Sequence, residues 1–158
     1  MSLLYKLQEL CIEKGVSVAV AESCTAGLLT SRLTAIPGSS SYFKGGIIAY
    51  QNEIKIKILG VSQSIINEKT EVSAEVVKQM AKSVLEKFNT DFAVATSGYA
   101  GPTGGTIKNP IGTVFIAIAS EVNVAVSRFI FSGNRQSIVN QASESALSLL
   151  LSEIKKQR

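Results

Sequence analysis

"IGTVFIAIASEVNVAVSRFIF", residues 111–131, decides the architecture. Its halves, "IGTVFIAIAS" and "NVAVSRFIF", are rich in β-branched and aromatic residues and read as strands. Only a few turn residues part them, so they predict an antiparallel hairpin. Before the hairpin, "GYAGPTGGTIKNP" is a loop marked by Gly and Pro, and "DFAVATS" is a strand. After it, a last helix is expected from about Arg135 to Lys155. Further upstream, helix and strand alternate. Residues 2–14 place Leu3, Leu4, Leu7, Leu10 and Cys11 on one face, with Gly15 to end that helix. "VSVAVAE" (16–22) is a short buried strand, and "TAGLLTSRLTAI" returns to helical period from Thr25. "KGGIIAYQ" reads as a second strand, and Asn52 opens a helix through "EIKIKILG". Ser62 opens a short turn or helix. From Ser73 to Phe88, Val76, Val77, Met80, Ala81, Val84, Leu85 and Phe88 form one apolar stripe. Alternation, then a hairpin, then a closing helix predicts an α/β fold: a three-layer α/β/α sandwich with a mixed, mostly parallel sheet that includes an antiparallel hairpin. No repeat, low-complexity tract or linker interrupts residues 1–158, which read as a single domain.

Composition narrows the function. At 46% hydrophobic residues the chain is expected to fold around a core of its own. No apolar run reaches the length of a membrane span, and the amino terminus lacks a signal-peptide cleavage site, so a soluble, cytoplasmic protein is expected. The net charge is +4, and three of the sixteen basic residues fall in the final "KKQR". The rest are scattered, without the dense basic stripe of a nucleic-acid groove. A small anionic ligand needs only one or two cations. Cys11 and Cys24 do not form a disulfide framework. With no histidine and one aspartate, a zinc site is not expected, nor any other metal or cofactor.

In an open α/β sheet, ligands collect at the carboxyl ends of the strands. "AESCTAG", "AYQNEIK" and "SGYAGPTGG" should meet there, and "LTAIPGSSSYF" is expected to fold back over the sheet to join them. Ser23, Cys24 and Thr25 stand at the expected start of a helix, where N–H groups suit an anion or oxyanion; the alternative is a simple cap. Cys24 there is a second possible nucleophile. In "GPTGG", Gly101, Gly104 and Gly105 permit close backbone approach to a ligand, or make only a turn. Arg135 opens the last helix, where a cation opposes the macrodipole, so a phosphate held there would account for it. The crowded stretch "AIPGSSSYFKGGIIAYQNEIK" (35–55) offers serines, tyrosines and lysines. Without histidine, a serine nucleophile must use lysine, tyrosine or carboxylate as base. Lysine needs desolvation or a neighbouring cation to serve near neutral pH. Tyr50 and Lys55 are placed to point into one cleft, with Ser39, Ser40 and Ser41 in the loop expected to close over it; these serines also suit an ordinary turn.

Taken in order, "AESCTAGLL", "PGSSSYFKGGIIAYQNEIK", "LGV", "SGYAGPTGGT" with "NPIGTV", and "FSGNR" resemble the CinA carboxy-terminal domain family over nearly the whole chain. Stand-alone members of that family are the PncC-type nicotinamide-nucleotide amidohydrolases. Residues 1–158 resemble the carboxy-terminal domain without the amino-terminal molybdopterin-binding-like domain of full CinA proteins, so the single-domain form is expected. The resemblance implies deamidation of nicotinamide mononucleotide to nicotinic acid mononucleotide and ammonia, in pyridine nucleotide salvage. It implies Ser40 as nucleophile, with Tyr50 and Lys55 as its partners. It places Thr96 and the Gly101 region around the substrate, and Arg135 on the phosphate. The chain departs from the family at Tyr99, usually a smaller aliphatic residue, at Ala26, commonly glycine, and at Asn109, inserted between a lysine and a proline that are usually adjacent.

The mechanism expected on this reading is acyl transfer, with Lys55 accepting the Ser40 proton, Tyr50 relaying or orienting, and Glu22 orienting a water or a ribose hydroxyl. The partner is a small nucleotide bearing a phosphate, with no nucleic acid or membrane, and a homodimer is expected. Two other readings stand beside it. One is a nucleotide-binding module without catalysis, which the glycine loop and Arg135 would serve equally well. The other is an interaction domain associated with competence and DNA damage.

Overall fold

The computed structural model describes residues 2–157; Met1 and Arg158 of the basic tail lie outside them. In chain order the elements are α1 (Leu3–Lys14), β1 (Val18–Glu22), α2 (Leu28–Leu33), β2 (Phe43–Ile48), α3 (Asn52–Leu59), α4 (Gln63–Lys69), α5 (Ala74–Phe88), β3 (Phe92–Gly98), β4 (Thr113–Ser120), β5 (Val124–Ile130) and α6 (Arg135–Lys156). The strands form one sheet in the order β2-β1-β3-β4-β5. β1 lies parallel to both β2 and β3, while β4 is antiparallel to β3 and to β5. The predicted hairpin is therefore β4–β5, and β4 alone runs against the other strands. No helix among the described residues is long and apolar enough to cross a membrane.

The strand sequences explain the layers. Alternate residues of a strand face opposite sides of the sheet. Val18, Val20, Phe92, Val94, Val114, Ile116 and Ile118 face a core shared with α1, α2 and α6. The intervening Ala19, Ala21, Ala93, Ala95, Ala117 and Ala119 face the second core, with α3, α4 and α5. An alanine floor lets the large stripe of α5 (Val76, Val77, Met80, Ala81, Val84) sit close on the sheet, and all five are completely buried. Ser2, Ser62, Ser73 and Asn134 cap α1, α4, α5 and α6 by accepting a backbone N–H three residues on.

Two features of this frame set up the site. Glu22 is paired with Ile48 on one side and Thr96 on the other, so β1 and β2 end level, β3 runs two residues further to Gly98, and all three release their loops at the same edge. The expectation that residues 34–42 fold back over those ends is not met. That segment stays at the opposite, amino end of β2, where Ser39–Ser41 make a short 3₁₀ turn. Three contacts pin it there. Gln8 Nε2 donates to Pro37 O (2.9 Å), Val18 N to Tyr42 O (2.8 Å), and the buried Tyr42 hydroxyl to Leu33 O (2.9 Å). β2 has six residues, so Ser40 and Tyr50 are separated by a strand about 20 Å long.

Gly112 fastens the β3–β4 loop beside those strand ends. Its N–H donates to Tyr99 O (2.7 Å) and its carbonyl accepts from Phe131 N (2.9 Å). Its φ is +96°, and a Cβ there would lie 2.1 Å from Phe131 O. Gly112→Ala is expected to cost about 3 kcal/mol, from strained backbone plus a clash with main chain that cannot rotate away. Urea unfolding of the two proteins measures it.

Candidate active site

At the carboxyl ends of β1, β2 and β3 lies a cleft of about 430 Å³. Its walls are the turn after β1, the β2–α3 connection, the residues just before α5, the loop after β3 and the first residue of α6. Lys55 belongs to it and is only 1% exposed. The spacing within α3 accounts for that burial. Lys55 and Leu59, four residues apart, share the buried face of the helix. The Lys55 amine donates to Tyr50 O at 2.9 Å. The Ser23 hydroxyl, from the turn after β1, donates to the same carbonyl at 3.4 Å. One carbonyl oxygen thus brings the serine and the lysine side by side.

Burial pushes the Lys55 amine below lysine's ordinary 10.5, a shift opposed by the negative charge of Glu71 and by Cys24. Desolvation removes water from the charged ammonium and favours the neutral amine. The ion pairs among the described residues do not include Lys55. A neutral amine keeps a lone pair that can accept a proton. Cys24 is the opposite case: burial pushes its thiol up to about 12, which makes it a poor nucleophile near neutral pH.

The other expected site residues divide by position. Arg135 and Gly101 line the cleft. Arg135 Nη1 donates to Gly101 O (2.7 Å) and Nη2 to the Tyr50 hydroxyl (2.9 Å). The Tyr50 phenol therefore stands at the rim, half exposed, and Tyr50 meets Lys55 through its main-chain carbonyl rather than its ring. Thr25 and Thr96 hydrogen-bond each other through their hydroxyls at 2.8 Å, fully buried beneath the cleft-lining residues. Gly104 and Gly105 belong to the β3–β4 loop but not to the cleft wall. Ser40 is exposed at the far end of β2, so the structure does not bring it to Tyr50 and Lys55.

Two further expectations are corrected together. α2 begins at Leu28, not Thr25, and residues 24–27 are turns. Glu22 does not face the cleft. Its carboxylate accepts Leu29 N (2.9 Å), Thr30 N (3.0 Å) and the Thr30 hydroxyl (2.6 Å). The start of α2 is already satisfied by an internal anion, so it is closed to a ligand. Ala26 adopts φ +46°, a left-handed conformation that glycine enters more easily. Asn109 is a buried tether: Nδ2 donates to Val72 O (3.2 Å), and Oδ1 accepts from Arg128 Nε (3.2 Å) and Nη2 (3.1 Å).

Sequence reasoning missed Glu71; Ser97, Asn52 and Thr103 fell within the stretches expected at the strand ends without being singled out, and all four line the cleft with Tyr99. Asn52, at the head of α3, was read only as a helix start. Glu71 gave no signal because it precedes a helix cap, a position where acidic residues are ordinary.

Comparison with known proteins is uniform. The CinA C-terminal domain model matches residues 2–154. A CinA-like protein of Flavobacterium psychrophilum is 43% identical over 150 residues, covering 95% of this chain but 36% of the relative. The chain thus spans about a third of the length of the curated relatives it matches. Among solved structures, the competence damage-inducible protein A of Klebsiella pneumoniae superposes with a TM-score of 0.95 at 29% identity, covering 99% of this chain and 97% of that one. A competence or damage-inducible protein of Enterobacter asburiae gives a TM-score of 0.93 at 33% identity, with 96% of each chain covered.

The lowered Lys55 value predicts a pH effect on stability. Between that value and 10.5 the unfolded chain holds a proton that the folded chain does not, so stability rises with pH across this window. Lys55→Met is expected to remove the rise. Urea midpoints at several pH values below 10.5 for both proteins check it.

Proposed function

The chain belongs to the CinA C-terminal domain family, and on that footing we propose that its cleft is the active site of an amidohydrolase. The substrate is nicotinamide mononucleotide, and the products are nicotinic acid mononucleotide and ammonia, in pyridine nucleotide salvage. The observation that carries this reading is the pair formed by the Ser23 hydroxyl and the buried Lys55 amine around Tyr50 O. A merely binding cleft has no need of a desolvated amine beside a hydroxyl, whereas a serine nucleophile in a chain without histidine does. The nucleophile is therefore Ser23 rather than Ser40.

Neutral Lys55 takes the proton of Ser23 as its oxygen bonds to the carboxamide carbon, and the carbonyl electrons move onto oxygen. Backbone N–H groups of Cys24 and Thr25, in the turn after Ser23, meet that oxyanion; such a donor is typically worth about 3 kcal/mol. Collapse breaks the C–N bond, and the leaving nitrogen takes the proton from Lys55 and departs as ammonia. Water then gives a proton to Lys55 as it attacks the ester. That proton returns to Ser23 as the acyl bond breaks. At the rim, Arg135 exchanges Gly101 O and the Tyr50 hydroxyl for the phosphate, so each is a placeholder for a ligand oxygen. The protein acts as a cytoplasmic homodimer on this reading.

Ammonia release from nicotinamide mononucleotide tests it. Ser23→Ala and Lys55→Ala are each expected to lower kcat/KM at least about a thousandfold. Ser40→Ala should leave it unchanged, and Tyr50→Phe should raise KM with little change in kcat. A folded Ser23→Ala protein with full activity would overturn the assignment.

A further inference from the structure

Three charged side chains line the cleft: Lys55 from α3, Arg135 from α6, and Glu71 from the segment between α4 and α5. Lys55 and Arg135 have hydrogen-bond partners within the protein. Glu71 has its backbone fixed, and no hydrogen bond among the described residues engages its carboxylate. Ser97 Oγ donates to Glu71 O (2.8 Å). The next residue, Val72, is 1% exposed, and its carbonyl accepts from Asn109 Nδ2 (3.2 Å) and Thr70 Oγ1 (3.3 Å). No ion pair among the described residues includes Glu71. A fixed main chain thus presents an anion, without a partner of its own, to the cleft that holds Ser23 and Lys55.

We propose that Glu71 is the specificity-determining residue of this cleft: it favours a ligand whose reacting end is a carboxamide on a cationic ring, and turns away the carboxylate that hydrolysis makes. This rests on the amidohydrolase reading and deepens it. A carboxamide nitrogen offers two N–H donors, and an ionised carboxylate side chain can only accept. A pyridinium ring adds a positive charge. Hydrolysis replaces the donors with an acceptor-only anion, so an attraction becomes a like-charge repulsion at the step where product must leave. The phosphate end is the same before and after, so Arg135 cannot tell the two apart. Discrimination has to come from the reacting end.

The same charge reaches Lys55. The groups around that amine are Tyr50 and Cys24 from the turns beside it, Glu71, and Tyr99 and Arg135 across the cleft. Glu53 and Lys57 of α3 itself pair with each other on the exposed side of the helix. Of these, Glu71 is the carboxylate in the cleft, and its charge holds the Lys55 amine higher than burial alone would leave it. Removing that charge moves the acidic limb of kcat/KM to lower pH.

The experiment compares wild type, Glu71→Gln, Glu71→Asp and a second neutral variant, Glu71→Ser. Calorimetry measures binding of nicotinamide mononucleotide and of nicotinic acid mononucleotide, and ammonia release is followed against pH. Glu71→Gln and Glu71→Ser are expected to bind the acid about tenfold more tightly, with a smaller change for the amide. Their acidic limb shifts down, while Glu71→Asp keeps both wild-type properties. Neutral variants with an unchanged amide-to-acid affinity ratio, or an equal loss of both ligands, overturn the proposal. A wild type that binds the pair but releases no ammonia overturns the amidohydrolase reading alone, and the affinity ratio still decides the role of Glu71. A wild type that binds neither overturns both.

Discussion

An amine held 1% exposed is the constraint on which the carboxyl end of this sheet depends. An ammonium taken out of water without a carboxylate partner is costly, and the usual outcome is neutralisation. Lys55 has one hydrogen bond, to a carbonyl five residues before it, and no ion pair among the described residues. To place it there, α3 must start immediately after β2 and turn its 55/59 face inward, against the core built on α5. That docking is possible because the sheet offers alanines on this side, which leave room for a second helix layer close to the strand ends. The alternation of large and small residues in β1, β3 and β4 is therefore connected, through packing, to the proton affinity of one side chain.

α2 and α6 handle their amino ends in opposite ways. α2 receives the Glu22 carboxylate, a favourable charge at that end, and its first donors are consumed inside the fold. α6 carries a cation at its first residue, which the macrodipole disfavours, and recovers the difference through hydrogen bonds to Gly101 O and the Tyr50 hydroxyl. Those bonds tie together three segments that are distant in sequence and set the width of the cleft mouth. A substrate anion that competes for Arg135 therefore acts on the β2–α3 connection and the β3–β4 loop at the same time.

Much of this was legible from residue patterns. The β4–β5 hairpin and the long stripe of α5 carry periods that no neighbouring element contradicts. The convergence of the turns after β1, β2 and β3 followed from their place at the carboxyl ends of strands. Tyr50, Lys55 and Arg135 reach the cleft from positions that the sequence singled out. The extent of α2 was overestimated, because "TAGLLTSRLTAI" keeps a helical period through residues that tertiary contacts hold as turns. The path of residues 34–42 was missed for a related reason. A run of serines near a Pro-Gly turn says that a loop is present, but its direction is set by Tyr42, whose ring is buried against the end of α2. One buried tyrosine outweighs the polar character of three serines and keeps Ser40 at the far end of β2.

Glu22 and Glu71 show how little residue type alone could reveal. Both are glutamates near the same strand ends, and chain position favoured Glu22, which directly follows the buried run of β1. Yet Glu22 is completely buried and its two oxygens are spent on three donors, so nothing remains for a ligand. Glu71 sits before a helix cap with no pattern to mark it, and its carboxylate has no donor among the described residues. Glu71 is only partly buried, so its carboxylate stays open to water and to a ligand beside the desolvated Lys55 amine. The chemistry best matched to an acceptor-only anion beside Ser23 and Lys55 is a group that donates hydrogen bonds, stays uncharged or positive until it reacts, and leaves as a negative product.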